Sequence, residues 1–227
     1  IYGKQTLMDG GQRLSAARWL LELCADPPAA AARPLFVVHD PDLLGLLGKR
    51  QERKAVFSWA ELQPHLAEIA RQAERVDAVE APLRTSFEAA VHGLHGRLLL
   101  FHRLRSTIAP DDSRSRAQEN AEFELALAEG LADFRGPARA RPKPTPALER
   151  LSRFFSRYSE LDEAAYFKPV PPKAGAPEDA WRTVPGLLLG ALADGGIAPE
   201  SRAWADALDS ARAGDAGAFG PALKVLE

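Results

Sequence analysis

Thr85-Ser86-Phe87-Glu88-Ala89-Ala90-Val91-His92-Gly93-Leu94-His95-Gly96-Arg97-Leu98-Leu99-Leu100-Phe101-His102-Arg103-Leu104-Arg105-Ser106-Thr107-Ile108 decides the fold class. Phe87, Val91, Leu94, Leu98 and Phe101 recur at alternating steps of four and three, the spacing of one helical face. The spacing predicts a long helix from about Thr85 to Ile108 with one buried stripe. The same period continues in Ala117 to Phe134, where Phe123, Leu127 and Leu131 are four apart. Thr145-Pro146 opens a further helix with Leu148, Leu151, Phe155, Tyr158 and Leu161 inward. Shorter helices are expected over Asp179–Leu192, Ser201–Ala213 and Ala216–Leu226.

On the N-terminal side, Asp9-Gly10-Gly11 is a turn signal, and Ser15 opens a helix bearing Ala16, Trp19, Leu20, Leu23 and Cys24, which Pro27-Pro28 ends. Pro34 to His39 is dense in β-favouring residues and too short for a helix. Asp40 then caps a short helix with Pro41 at its first position and Gly48 at its close. Ala55-Val56-Phe57 adds a brief strand. Ser58-Trp59-Ala60-Glu61 matches a capping box. Pro64 leaves two readings, a short capped turn followed by a new helix or one kinked helix.

The fold class is therefore mainly α, a multi-helix domain with a few short extended segments. We expect an N-terminal helical part over 1–135, a proline-rich basic connection over 136–147 and a C-terminal helical part over 148–227, packed as one domain. Tyr166 to Pro172 reads as extended or polyproline backbone. No internal repeat of fixed period is present.

Composition narrows the function. The 227 residues hold 29 Lys and Arg against 31 Asp and Glu, a net charge of −2, with 46% hydrophobic residues. Such a balance is globular and supplies no field to hold a polyanion, so no nucleic acid is expected as a partner. The single cysteine, Cys24, excludes an intramolecular disulfide and any cysteine-rich metal site. Lying on the inner face of its helix, it reads as a buried structural thiol. The chain begins at Ile1 without a basic-then-apolar leader, as an excised or processed piece would. No run of about 18 apolar residues occurs. The apolar stretch Val184 to Leu192 is broken by Pro185, Gly186 and Gly190.

The sequence lacks phosphate-binding glycine motifs, a G-x-S-x-G elbow and an H-E-x-x-H pair. Asp111-Asp112-Ser113 lacks the glycine and terminal glutamate of a calcium loop. We therefore assign neither catalytic nor metal residues. His92, His95 and His102 share the long helix and flank its apolar stripe, where imidazoles can contact haem or a metal. They equally suit the boundary of an amphipathic helix. His92 and His102 lie about 15 Å apart along the axis, too far to share one ion. The three histidines are carried forward as candidates for haem contact alone.

Arg135, Arg139, Arg141, Lys143, Arg150, Arg153 and Arg157 accompany Phe154, Phe155 and Tyr158. Basic residues among aromatics suit single-stranded bases, anionic headgroups or an acidic partner. Phe155 and Tyr158 already belong to the core stripe, so the arginines read as a solvated face.

The order of segments resembles a family. Arg33 through Gly48 is similar to the extended segment, Pro-initiated turn and Leu-Gly ending in the large extracytoplasmic region of system II cytochrome c synthases. Lys54 to Leu62 resembles that family's aromatic-Ser-x-x-Glu-Leu step, and Ser86 through Phe101 its following long helix. Phe167-Lys168-Pro169-Val170-Pro171-Pro172 before Trp181 resembles its Val-Pro-Pro-then-Trp pattern. Gly214-Asp215-Ala216-Gly217-Ala218-Phe219 resembles its final Gly-Asp-x-x-x-Phe, with Gly220 where Asn is common. The family's tryptophan-rich haem motif and haem-ligating histidines belong to membrane-flanking parts outside this chain. No catalytic residue is carried over.

The resemblance implies a periplasmic, extracytoplasmic domain tethered to the inner membrane through flanking segments. Its complex would be a cytochrome c haem lyase, exporting haem and attaching it to the C-x-x-C-H thiols of an apocytochrome c. The domain itself would be non-catalytic and hold no cofactor, with haem in the parent complex. Its partners would be apocytochrome c and the membrane-embedded segments, and its role scaffolding or docking, by β-type pairing to its extended segments. A cytoplasmic helical adaptor and a soluble haem-binding protein using the three histidines are the alternative readings.

Overall fold

Capping chemistry sets where the helices begin. The computed structural model describes residues 6–9, 12–110, 115–135, 144–172 and 175–226. Asp111-Asp112-Ser113, Gly10-Gly11 and residues 136–143, with Arg139, Arg141 and Lys143, lie outside them. The chain is mainly α-helical, with two small antiparallel sheets of two strands each among the described residues. It divides into two compact units, residues 1–19 with 26–102 and residues 20–25 with 103–227.

In the first unit, β1 (Thr6–Asp9) pairs with β2 (Gln12–Ser15), Thr6 opposite Ser15 and Asp9 opposite Gln12. The sequence reading found the turn but not these strands. Ser15 starts α1 (Ala16–Ala25), its hydroxyl oxygen accepting from the Arg18 N–H at 3.2 Å. Pro27-Pro28 does more than stop α1. Asp26 accepts from the Ala29 N–H at 3.2 Å, and the prolines occupy the first turn of α2 (Pro27–Ala32). Proline lacks an N–H where a first-turn N–H has no helical partner anyway, so a Pro pair after Asp starts a helix as readily as it ends one.

β3 (Pro34–Val38) leads to α3 (Pro41–Leu46), where one Asp40 oxygen accepts from the N–H groups of Asp42 (3.1 Å) and Leu43 (3.0 Å). β4 (Ala55–Ser58) runs antiparallel to β3, with Val37 opposite Val56 and Val38 opposite Ala55. At Pro64 the first reading is correct. α4 (Trp59–Leu62) is a single turn, a 3-10 turn covers Gln63–His65, and α5 (Leu66–Asp77) follows.

The expected capping box is present. The Glu61 N–H donates to Ser58 Oγ (3.2 Å), and Ser58 returns its N–H (2.7 Å) and hydroxyl (2.9 Å) to Glu61 Oε2. These donors, the Ser58 N–H first, hold the Glu61 carboxyl below the usual glutamate range. A depressed folded value means that the box contributes stability above the unfolded glutamate pKa and loses it as pH falls through the folded value. In a carboxyl NMR titration, Glu61 is expected to protonate below an ordinary glutamate, and Ser58→Ala, which keeps the N–H but removes the hydroxyl, to move its midpoint part of the way back up. An unchanged midpoint in the variant would refute the box.

α6 (Ser86–Arg105) buries Val91, Leu94, Leu98 and Phe101, while Phe87 is half-buried. Phe101 is the hub of an aromatic cluster. The Trp59 ring stacks on it at 5.3 Å, Phe36 meets it edge-on at 5.5 Å and Trp19 lies 6.5 Å away.

The second unit is built on α7 (Arg116–Arg135), α8 (Pro146–Ala164), α9 (Val184–Asp194), α10 (Pro199–Ala213) and α11 (Ala216–Leu226). α7 packs on α8 and α10, α8 on α9, and α10 on α11. α9 starts five residues later than Asp179, because the buried Thr183 is its cap, accepting from the Gly186 N–H at 2.8 Å and donating to Asp162. Before it, Val170 and Arg182 exchange backbone hydrogen bonds at 3.0 and 2.9 Å, an isolated antiparallel bridge. Gly214 (φ +70°) closes α10, and Asp215 caps α11 through the Gly217 (2.9 Å) and Ala218 (3.1 Å) N–H groups.

Two clusters fill this unit. One gathers Cys24, Ile108, Val170, Val184, Leu187 and Leu208, and the other Phe123, Leu127, Leu151, Tyr158, Leu188 and Ile197. At Gly130 α7 and α8 approach so closely that a Cβ would lie 2.7 Å from Leu151 Cδ2.

Candidate functional site

The three histidines of α6 are dealt separate neighbours. His92 Nε2 lies 3.3 Å from Asp77 Oδ1 at the end of α5. His95 is half-buried, and the exposed His102 ring stacks on Trp59 at 5.9 Å with 9° between planes. Among the described residues, no group of three or more His, Cys, Asp or Glu stands where it could hold a metal ion. Leu99 and Leu100, on the same helix, are exposed.

The β3–β4 ribbon is the extended feature that the sequence offered for strand pairing. Each strand pairs with the other alone among the described residues, so each keeps an outer edge. Val56 of β4 is 43% exposed, whereas Ala55 and Phe57 on either side of it are buried. That alternation anchors one face of the strand and presents the other. On β3, the Arg97 guanidinium lies 3.4 Å from the Val37 carbonyl oxygen.

In the second unit, Arg150, Arg153, Arg157 and Phe154 of α8 line a cleft with Glu122 and Leu125 of α7. Arg150 pairs with Glu129 (3.2 Å) and Arg157 with Glu119 (3.4 Å). The arginines are thus partly engaged with α7 rather than simply solvated.

Sequence reasoning missed a buried polar cluster at the start of α7. Asp209 of α10 accepts from the Ser115 hydroxyl (2.8 Å) and from the N–H groups of Arg116 (3.0 Å) and Ala117 (3.0 Å). A carboxylate there satisfies otherwise orphaned donors and meets the positive helix end. Arg116 itself is buried and donates from Nη2 to the Cys24 carbonyl (3.2 Å). Burial pushes its guanidinium below the ordinary value, and the Glu119 and Asp209 charges pull it back up. Tyr158 is raised, by burial first and then by the neighbouring Glu119 charge. Asn120 Nδ2 donates to the Ser201 carbonyl (3.2 Å). No sequence signal announces the hydrogen-bond partners named here, which stand 81 to 94 residues apart.

Cys24 is buried, as its helical position predicts, with Sγ 4.0 Å from the Leu104 carbonyl oxygen. Burial, opposed by the Arg116 charge, pushes its thiol up to about 12. At pH 8 that leaves about one thiolate in 10,000, and the thiolate is the reactive form. The folded chain is therefore expected to resist a disulfide reagent such as dithionitrobenzoate and to react at once when unfolded in guanidinium. Fast reaction of the folded chain would disprove the burial.

No helix among the described residues is long and apolar enough to cross a membrane. No family model matches the chain, and no curated protein or solved structure matches it either.

Proposed function

We propose that this chain is an extracytoplasmic docking domain of a membrane-bound cytochrome c biogenesis complex, presenting apocytochrome c for haem attachment by other parts of that complex. The observation that carries the reading is the β3–β4 ribbon, which has no further strand paired to it among the described residues and shows Val56 on its exposed face, so that it suits an unfolded segment added as a third strand. An apocytochrome reaches the complex unfolded, and main-chain pairing reads an extended chain whatever its side chains. Supporting it further, residues that carry the resemblance have architectural roles: Asp40 and Asp215 cap helices, Ser58 and Glu61 form the capping box, and Val170 lies in the bridge beside Trp181. Haem chemistry is left to the parent complex.

The test uses the parent polypeptide in membranes and an apocytochrome peptide containing C-x-x-C-H. Val56→Asp places a charge on the exposed face of β4, beside the incoming strand, without emptying the core, and is expected to weaken peptide binding about tenfold, 1.4 kcal/mol. Covalent haem attachment should fall in parallel. Equal binding by the variant would overturn the docking edge. A parent polypeptide without bilayer-crossing segments would overturn the whole reading in favour of a cytoplasmic adaptor.

A further inference from the structure

We propose that the cleft between α7 and α8 binds a small amphipathic anion, a flat apolar body carrying one carboxylate. The cleft is an open groove of about 410 Å³, within the range of small-molecule sites. Arg150, Arg153 and Arg157 stand at i, i+3 and i+7 on α8 and so share one face, with Phe154 among them. The site rests on these side chains and not on the docking reading above.

The apolar half of the ligand meets a group already in place. Glu129 pairs with Arg150 and Glu119 with Arg157, so these two guanidiniums flank Arg153 in settled positions before anything binds. Phe154 is edge-on to the fully buried Phe123 at 5.5 Å and stacked with Tyr158 at 6.2 Å. It is therefore a fixed aromatic wall. On the α7 side Leu125 is 54% exposed, apolar surface that a bound ring would remove from water. The close approach at Gly130 sets how far apart the two helices stand.

The charge balance selects the head group. Glu129 and Glu119 each oppose one guanidinium, and Arg153, which among the described residues has no carboxylate at ion-pair distance, is the cation for a ligand although Glu122 shares the lining. Glu122 in the same lining repels a doubly charged head. A single carboxylate on Arg153 fits, and a phosphate dianion does not.

Titration of the 227-residue chain with 2-naphthoate, followed by amide chemical shifts, tests this. Saturable shifts are expected along Arg150–Arg157 and around Leu125, with a dissociation constant of about 0.1–1 mM for so small a probe. 2-Naphthamide, which keeps the ring without the charge, and inorganic phosphate, which keeps a charge without the ring, are each expected to bind at least about tenfold more weakly. Arg153→Gln and Leu125→Glu change exposed side chains, should leave the circular dichroism and melting unchanged, and are each expected to weaken naphthoate about tenfold. Naphthamide or phosphate binding as tightly as naphthoate would overturn the proposal. So would unchanged affinity in both variants, shifts mapping elsewhere, or no saturable binding.

Discussion

Phe123→Ala is expected to destabilise the second unit by about 3–5 kcal/mol, the range for emptying a fully buried aromatic site. Phe123 has no exposed surface and meets Phe154, Phe155 and Tyr158 edge-on at 5.5, 5.8 and 5.7 Å. Three edge contacts to one ring favour the aromatic quadrupole as well as burying area. All three partners lie on α8, whose helical repeat holds them in place, so the surroundings have little freedom to collapse into the gap. Native-state hydrogen exchange localises the effect. The central amides of α7 and α8 should lose protection together, while the α6 amides around Val91–Leu98 serve as an internal reference. A loss below about 1 kcal/mol would mean that the site collapses freely, and the cluster would then not be the packing centre.

Asp209→Ala is the second large effect, with an expected loss of about 3 kcal/mol. Hydrogen bonds to a charged group contribute about 1.5–3 kcal/mol each and do not simply add. Asp209 accepts three, two of them from the first N–H groups of α7. Its removal also takes a carboxylate from beside the buried Arg116, and an under-compensated buried charge is strongly unfavourable. The signature is specific: the amides of Arg116 and Ala117 exchange faster than those of the α7 centre. Asp209→Asn keeps an acceptor but not the charge and should fall between Ala and wild type. Ser115 Oγ also accepts from the Gln118 N–H at 3.1 Å, and unaltered exchange at Arg116 and Ala117 in the Ala variant would show that this local cap suffices to start the helix.

Local rules made much of this fold legible. The helices announce themselves by spacing, as Val91, Leu94, Leu98 and Phe101 do, and their starts by short-range capping at Asp40, Ser58 and Thr145, where donor and acceptor are two or three residues apart. The β1–β2 ribbon was signalled only by Asp9-Gly10-Gly11, between segments with no strong alternation. The helical reading of Asp179–Arg182 failed because the Thr183 cap is stabilised by Asp162, a partner from another helix. The Asp209 cap of α7 is the extreme case, since the acid that starts this helix is supplied by α10. Site residues divide the same way. Arg150, Arg153, Arg157 and Phe154 were visible as a pattern because they share one helix. Glu122 and Leu125, which complete the cleft, became apparent only when α7 was laid beside α8. His92, His95 and His102 also share a helix, yet Asp77 and Trp59 draw two of them to different neighbours.

The bridge between Val170 and Arg182 makes the segment it encloses a natural attachment point. Both ends are pinned by a reciprocal pair of backbone bonds, and Val170 and Thr183 are buried next to those ends. Lengthening such a closed loop adds only about 0.6 kcal/mol of closure entropy for each doubling. A fluorophore or affinity handle grafted between Pro172 and Ala180 would therefore report on the chain while leaving α8 and α9 in register.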